Sequence, residues 1–280
     1  MPGSAVPDQR LHHLQQIDAL IIDIDGVLYE GGRVLPGAVD LIAHLNQHDT
    51  PYLFLSNNTT YPFLHHVEKL SRLDVPNPQD ILLTAARVTA QVLAAEAEPG
   101  TVCFVIGESG LIEALEQRGF MVTQSNYQAA SYVVIGMDRR LTYEKLKSAA
   151  LAIRAGAHFI SSNPDPSYPD GEQVVPASGA VQAALEATTG VRARVTGKPA
   201  LPGFQMALER LGSEASRTGM LGDQPEIDIQ GAVNAGIRPF LVLSSLTPSY
   251  HPDNGTAQPA AVFENAQDFY QHWMQRDRKH

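Results

Sequence analysis

The feature that most constrains the fold of this chain is a short apolar run that ends in carboxylates. Residues 19–25 read Ala-Leu-Ile-Ile-Asp-Ile-Asp. Such a run is typical of a central strand in a parallel sheet, covered on both faces. Its carboxyl end would expose Asp23 and Asp25. A helix predicted over 38–45 and a strand over 51–56 follow, which indicates a right-handed parallel crossover.

The alternation of predicted strands and helices continues near the end of the chain, after a long intervening segment. It predicts strands over 191–196, 218–222 and 240–243, and helices over 202–211 and 227–235. The interval has an α/β pattern of its own, with strands over 102–106, 132–135 and 158–161, helices over 111–117 and 143–155, and an ordered Pro-rich loop over 163–170. We therefore predict an α/β fold, a Rossmann-like doubly wound parallel core over residues 1–83 and 191–280, with an inserted α/β domain over 84–190.

Composition narrows the class of partner. The 280 residues carry a formal net charge of -10, which argues against nucleic-acid polymers and membrane surfaces, because both attract clusters of Lys and Arg. No apolar run approaches the ~18 residues needed to cross a bilayer, so a cytoplasmic location is the expectation. The single cysteine, Cys103, lies in an apolar run and is interpreted as a buried strand thiol.

Polar clusters fall at four predicted strand ends. In a parallel sheet the carboxyl ends of strands meet at one edge, where ligands bind. Each cluster alone is common in turns and loops. Together, and in this order, they predict a functional site formed by Asp23 and Asp25, Ser56 and Asn57, Lys198, and Asp223 and Asp228.

The residue types in these clusters favour phosphate chemistry. Carboxylates that share one crevice repel each other unless a cation or a proton intervenes, and Mg²⁺ prefers such oxygen ligands together with substrate phosphate. Asp23 and Asp25 would provide a pair in which one carboxylate attacks phosphorus and the other protonates the leaving alkoxide and then deprotonates water. Lys198 would neutralise phosphoryl charge, and Gly26 would let the backbone turn closely around the ligand.

At these residues the sequence resembles the haloacid dehalogenase superfamily of phosphatases, in its NagD-like, 4-nitrophenyl phosphatase branch. Asp23-Ile-Asp-Gly-Val-Leu-Tyr29 is similar to the first motif of that family. The resemblance implies that Asp23 is the nucleophile, that Asp25 is the general acid and base, and that both reach Mg²⁺, Asp25 through its backbone carbonyl. A phosphate monoester of a small molecule is the implied substrate.

The other motifs follow in the expected order. Leu55-Ser-Asn-Asn-Thr59 and Gly197-Lys-Pro199 resemble the second and third, which implies that Ser56 and Asn57 bind the phosphoryl group and that Lys198 stabilises its charge. Gly222-Asp-Gln-Pro-Glu-Ile-Asp228 resembles the fourth, with Asp223 as a direct metal ligand and Asp228 as a carboxylate that holds a metal water. Ile227 departs from the Thr usual in this branch, and Pro225 and Glu226 are unusual there as well.

The insertion resembles the large cap of the same branch, which closes over the site and selects the substrate. On this basis Asn163, Asp165 and the loop over 176–179 would contact the leaving group. The loop reads Pro-Ala-Ser-Gly where the branch more often has Pro-Gly-Ala-Gly, so the sequence leaves the substrate open. A homodimer formed through the cap is compatible with this type of domain.

The sequence features allow three other interpretations. Receiver-type phospho-acceptor proteins also place an acceptor aspartate, an acidic metal pair and a Lys at strand ends, but Asp25 and the long insertion argue against that class. A degraded family member that only binds a phosphate ligand is suggested by the altered segment around Ile227 alone. His44 and His48 lie one helical turn apart and would suit a metal, but no neighbouring ligand accompanies them in sequence, so a solvated helix face is favoured.

Overall fold

The computed structural model describes residues 9–170, 173–252 and 257–277. Its internal contacts divide the chain into two compact units. The first unit comprises Met1–Leu55, Ser71–Ile81 and Phe204–His280, and the second comprises Ser56–Leu70 and Leu82–Gly203. The second unit therefore contains residues 56–70 and 191–203 in addition to the predicted insertion. The role of the insertion as a cap stays a prediction.

The first unit is built on parallel strands with helices around them. Its elements before the second unit are α1 (Gln9–Leu14), β1 (Ala19–Ile22), β2 (Tyr29–Glu30), β3 (Arg33–Val34), α2 (Ala38–Gln47) and β4 (Tyr52–Ser56).

The elements of the second unit follow in the chain. They are α3 (Phe63–Ser71), β5 (Leu82–Thr84), α4 (Ala85–Ala94), β6 (Val102–Ile106), α5 (Ser109–Glu116), β7 (Met121–Thr123), a 3₁₀ turn (Tyr127–Ala129), β8 (Tyr132–Ile135), α6 (Tyr143–Arg154), β9 (His158–Ser161), β10 (Ser167–Asp170), β11 (Gln173–Pro176), α7 (Ser178–Thr189) and β12 (Arg194–Val195).

The chain then returns to the first unit. The remaining elements are α8 (Leu201–Leu211), which begins at the end of the second unit, a 3₁₀ turn (Ala215–Arg217), β13 (Thr218–Gly222), a π-helical turn (Pro225–Ile229), α9 (Gln230–Asn234), β14 (Arg238–Val242), β15 (Ala261–Phe263) and α10 (Ala266–Asp277).

Each unit has its own parallel sheet. In the first unit the strand order is β15-β14-β13-β1-β4, and in the second it is β12-β9-β8-β6-β7. All residues of β1 and β8 are buried, because helices cover both faces of a parallel sheet. The predicted α/β fold with a doubly wound core is confirmed.

Several predicted elements match the structure closely. Strands β6, β8, β9 and β13 have the predicted bounds. Helix α6 begins where Thr142 accepts a hydrogen bond from the backbone N–H of Lys145 at 3.2 Å, a capping contact that satisfies one of the first unpaired donors of a helix. Cys103 is confirmed as a buried strand thiol, and burial raises its pKa to about 12.

Other elements differ from the predictions for local reasons. The predicted loop over 163–170 is wrong from Ser167 on, because β10 pairs with β11 as a hairpin and the exposed strand has little apolar patterning. The predicted helix over 227–235 begins instead as the π-helical turn Pro225–Ile229, and the Asp228 side chain in this turn accepts hydrogen bonds from the two backbone N–H groups just before it. Only Arg194 and Val195 form the strand predicted over 191–196.

The sequence predicts no membrane-spanning segment, and the lengths and hydropathy of the helices test this. Among residues 9–170, 173–252 and 257–277, no helix is both long enough and apolar enough to cross a bilayer.

Candidate active site

The first unit brings two of the predicted aspartates to neighbouring strand ends. Strands β1 and β13 are parallel neighbours, with Ile22 opposite Leu221. The backbone N–H of Asp23 extends this pairing by donating to the Leu221 carbonyl at 2.9 Å. Asp23 and Asp223 therefore leave adjacent strands at the same edge of the sheet, as the strand-end pattern predicts.

A third carboxylate joins them. Asp23, Asp223 and Asp228 each place one carboxylate oxygen within 4.8 Å of the other two, and all three side chains are buried, with exposures of 4%, 0% and 0%. Like charges at this separation repel strongly in a buried environment, so the cluster favours a bound cation or a proton. An all-oxygen set of carboxylates is the donor type that Mg²⁺ prefers, and the residues present fit that ion.

Two contacts fix the orientation of these carboxylates. The Ser244 hydroxyl donates to Asp223 Oδ2 at 2.6 Å. Asp228 Oδ2 accepts hydrogen bonds from the backbone N–H groups of Asp223 and Gln224, each at 3.1 Å. These bonds hold the Asp228 carboxylate against the backbone at the end of β13. Ser244 was missed by the sequence analysis; its position just beyond β14, at the same sheet edge, was the available signal.

Gly26 forms a tight turn within the first motif. Its φ is +87°, and a Cβ built there would lie 2.1 Å from Asp223 Oδ2. Both facts require glycine, because other residues rarely adopt this conformation and the carboxylate fills the space. Asp25 is half-buried, and its side chain is not a member of the three-carboxylate group. Its predicted roles as acid, base and backbone ligand stay predictions.

The second unit contains the other predicted site residues, and Asn57 connects two of them. Its Nδ2 donates to Asp165 Oδ1 at 2.9 Å and to the Lys198 carbonyl at 3.0 Å. Its Oδ1 accepts from the Lys198 backbone N–H at 2.9 Å. The Asn57 side chain thus holds the backbone of Lys198 through both hydrogen-bonding groups, and Lys198 itself is only 1% exposed.

Asn163 is built into the same network. Its Nδ2 donates to the Asn57 carbonyl at 2.8 Å, while its Oδ1 accepts from the Asp165 backbone N–H at 3.3 Å and from the Ser178 hydroxyl. Ser178, the first residue of α7, was missed by the sequence analysis, although it stands in the Pro-Ala-Ser-Gly loop that the resemblance singled out. Contacts with substrate by Asn57, Asn163 and Asp165 stay predictions.

Ser56 ends strand β4 and is buried. Its Oγ accepts a hydrogen bond from the Asn58 backbone N–H at 3.1 Å, which shapes the turn of the second motif. The structure thus groups Asp23, Asp223 and Asp228 within the first unit, and Asn57, Asn163, Asp165 and Lys198 within the second.

Comparison with known proteins places these residues in a family. Residues 20–121 match a model described as haloacid dehalogenase-like hydrolase, and residues 195–269 match one described as HAD hydrolase-like. The chain is 36% identical over 224 residues to an acid sugar phosphatase of Staphylococcus epidermidis, covering 80% of this chain and 85% of the relative. It is 34% identical over 245 residues to the 5'-nucleotidase YutF of Bacillus subtilis, covering 88% and 94%.

Solved structures agree. A crystal structure of 4-nitrophenylphosphatase from Thermotoga maritima superposes with a TM-score of 0.82 at 30% identity, covering 93% of this chain and 98% of that one. The chain belongs to the haloacid dehalogenase-like hydrolase family, in its NagD-like, 4-nitrophenyl phosphatase branch. Within that branch it is a phosphatase, a phosphoric monoester hydrolase that acts on a small-molecule phosphate.

Proposed function

We propose that this phosphatase is Mg²⁺-dependent and works through an aspartyl-phosphate on Asp23. The observation that carries the proposal is the group of three buried carboxylates, Asp23, Asp223 and Asp228, whose oxygens converge within 4.8 Å. Such a group is costly without a cation, and this cost is the physical reason for expecting one there.

The proposed chemistry has two steps. A carboxylate oxygen of Asp23 attacks phosphorus while the ester P–O bond breaks, and Asp25 gives its proton to the leaving alkoxide. A water molecule then attacks the phosphoryl group, Asp25 accepts the proton of that water, and the bond to Asp23 breaks to release inorganic phosphate. Asp23 returns to its starting carboxylate, so the cycle balances.

The remaining residues have supporting roles in this proposal. Mg²⁺ held by Asp23 and Asp223, the Asp25 carbonyl and a water on Asp228 would neutralise charge that develops on the phosphoryl oxygens. Lys198 would add positive charge to the same oxygens, and Ser56 would donate a hydrogen bond. Asn57 would act mainly by holding the Lys198 backbone, because its two amide hydrogens are both directed at protein acceptors.

The substrate class that we propose is a sugar phosphate or a nucleoside 5'-monophosphate. Support comes from the names of two relatives, an acid sugar phosphatase and a 5'-nucleotidase, that align over most of this chain. Phosphoglycolate, glycerol phosphate and pyridoxal phosphate belong in the same test. The cytoplasmic location and a homodimer through the cap stay predictions.

The test measures release of inorganic phosphate from 4-nitrophenyl phosphate and from a panel of these monoesters, in Mg²⁺ or in chelator. Intact protein is compared with Asp23→Asn and with Asp40→Asn, a matched change at an exposed aspartate of α2. We expect turnover that needs Mg²⁺, falls by about 10⁴-fold or more in Asp23→Asn, and is unchanged in Asp40→Asn.

Two outcomes would overturn parts of the proposal. Full turnover in chelator would exclude the proposed dependence on Mg²⁺. Turnover that survives in Asp23→Asn would exclude the proposed covalent intermediate on Asp23. Mass spectrometry of protein quenched in acid during turnover gives an independent check, since the aspartyl-phosphate adds the mass of a phosphoryl group to the peptide that contains Asp23.

A further inference from the structure

A second set of metal-type ligands lies in the first unit, at the ends of two helices. His44 is in the last turn of α2, His48 follows that helix directly, and Asp277 is the last residue of α10. Helix α10 packs against α2. One nitrogen of each imidazole and one oxygen of Asp277 lie within 4.8 Å of one another. None of the three belongs to the carboxylate group at the strand ends.

From this geometry we propose that His44, His48 and Asp277 bind a borderline divalent transition-metal ion, of which Zn²⁺ is the representative. The ion would join the end of α10 to the end of α2, and water would complete its coordination. The proposal is independent of the phosphatase mechanism.

The spacing of the two histidines places both rings on one face. Residues four apart on a helix are neighbours on its surface, and here the ring centroids are 4.0 Å apart. Bonds of about 2.0–2.2 Å to zinc put the donor atoms of a tetrahedral site about 3.3–3.6 Å apart. The donors lie within 4.8 Å of one another, so an ion would have to draw them closer together through rotation of the side chains.

The contacts around the three residues orient them as ligands. His48 Nδ1 lies 2.9 Å from the His44 carbonyl; a carbonyl only accepts, so Nδ1 carries the hydrogen and Nε2 is the nitrogen left to bind an ion. Metal-binding histidines usually donate their second N–H in this way. His44 Nε2 and Asp277 Oδ2 are 2.7 Å apart, so an ion would replace the hydrogen between them.

The surroundings of Asp277 also suit this role. Arg276 Nε lies 3.3 Å from Asp277 Oδ1, which leaves Oδ2 directed at His44. The edge of the Tyr270 ring packs against His44, with centroids 5.7 Å apart. The side chains of His44 and Asp277 are 12% and 19% exposed, whereas His48 is exposed, so an ion can enter from the side of His48.

The donor set distinguishes this site from the carboxylate group. Two imidazoles and one carboxylate favour Zn²⁺ and similar ions, whereas Mg²⁺ prefers oxygen donors and retains its water. Zinc binding should therefore persist in a large excess of Mg²⁺. Because the ion binds the folded chain through two separate helices, it should also raise the melting temperature.

The test titrates Zn²⁺ into the full chain by calorimetry in excess Mg²⁺, in an Asp223→Asn background so that the strand-end carboxylates do not contribute a second zinc site. His48→Gln is the test variant, because His48 is exposed and its loss leaves the fold intact. His12→Gln is the matched control, since His12 is an exposed helical histidine outside the group.

We expect one zinc site, with a dissociation constant at least about tenfold higher in His48→Gln and unchanged in His12→Gln. A zinc-induced rise in melting temperature should follow the same pattern, as should the visible absorption of tetrahedral Co²⁺. Equal affinity in His48→Gln and its parent, or equal loss in His12→Gln, would overturn the proposal. Neither result depends on phosphatase activity.

Discussion

Both units contain a parallel sheet, but the acidic residues that follow the strands have different partners in the two units. In the first unit, Asp23, Asp223 and Asp228 are gathered with one another. In the second unit, Asp138 follows β8 and contacts Lys145 at 2.6 Å. Glu108 follows β6 and accepts two hydrogen bonds from the Arg139 guanidinium, at 2.9 and 2.7 Å, and a third from the Arg139 backbone N–H at 2.9 Å. The hydrogen bonds from Arg139 lower the pKa of Glu108.

This difference distinguishes a candidate active site, in the first unit, from ordinary structural ion pairs, in the second. Where a carboxylate is paired with a buried or partly buried Lys or Arg, removing it leaves the positive charge without its partner and destabilises the fold. Carboxylates that face one another reduce stability until a cation binds, and the same arrangement prepares the cation site for chemistry. The contrast predicts that removing an acid has opposite effects on stability in the two units.

The largest effect is expected for Asp223→Asn. Loss of a direct metal ligand should lower phosphatase activity by about 10³-fold. In chelator, the free energy of unfolding should rise by about 1 kcal/mol, because one of three repelling charges is gone while Ser244 retains an acceptor. Steady-state kinetics and urea unfolding measure the two quantities. A decrease in both activity and the free energy of unfolding would show that the carboxylate group instead stabilises the fold.

The matched pair Gly26→Ala and Gly32→Ala tests how tightly the turn encloses Asp223. The two glycines have φ values of +87° and +86°, but a Cβ at Gly32 meets no atom within 4 Å. Gly32→Ala should cost about 1 kcal/mol of backbone strain. Gly26→Ala should cost about 2 kcal/mol more, because its methyl group overlaps the carboxylate, and should lose most activity. Equal losses in urea unfolding would contradict the tight enclosure.

A smaller effect, confined to stability, is expected for Asp138→Asn in the second unit. Its side chain is 1% exposed and that of Lys145 is 20% exposed, so breaking the pair should cost about 2 kcal/mol. Glu144→Gln is the control, since its pair with Lys147 is exposed and should contribute less than about 0.5 kcal/mol. Both variants should keep the parent kcat/KM. A large activity loss in Asp138→Asn would contradict the comparison.

The sequence predicted the strand-end residues well because the parallel-sheet rule depends on order along the chain. The run before Asp23 and the run before Asp223 both read as buried strands, and their pairing brought the aspartates together. The hydroxyl groups of Ser244 and Ser178 were not predicted, because isolated serines after a strand or at the start of a helix are common. The contact between His44 and Asp277 was not predicted, because it depends on how two helices far apart in the sequence pack.

Local conformation was predicted less well in two segments. The segment Pro225–Ile229 forms a π-helical turn, in which the Ile229 N–H donates to the Gln224 carbonyl at 3.3 Å. The spacing of its apolar residues does not distinguish this wider turn from an α-helix. The hairpin of β10 and β11 contains Pro169 and Pro176, and most residues of β11 are exposed. Composition of that kind favours a loop, and only the pairing of the two strands reveals the sheet.

The pairing of β1 with β13 has a consequence for how the chain is made. Strand β1 is synthesised well before its neighbour β13, which lies beyond the whole of the second unit. Until Leu221 has been synthesised, one edge of this apolar strand has no native neighbour, a state that invites association with other chains. We therefore expect the nascent chain to be most prone to aggregation while the second unit is being synthesised. The full-length chain should aggregate less readily.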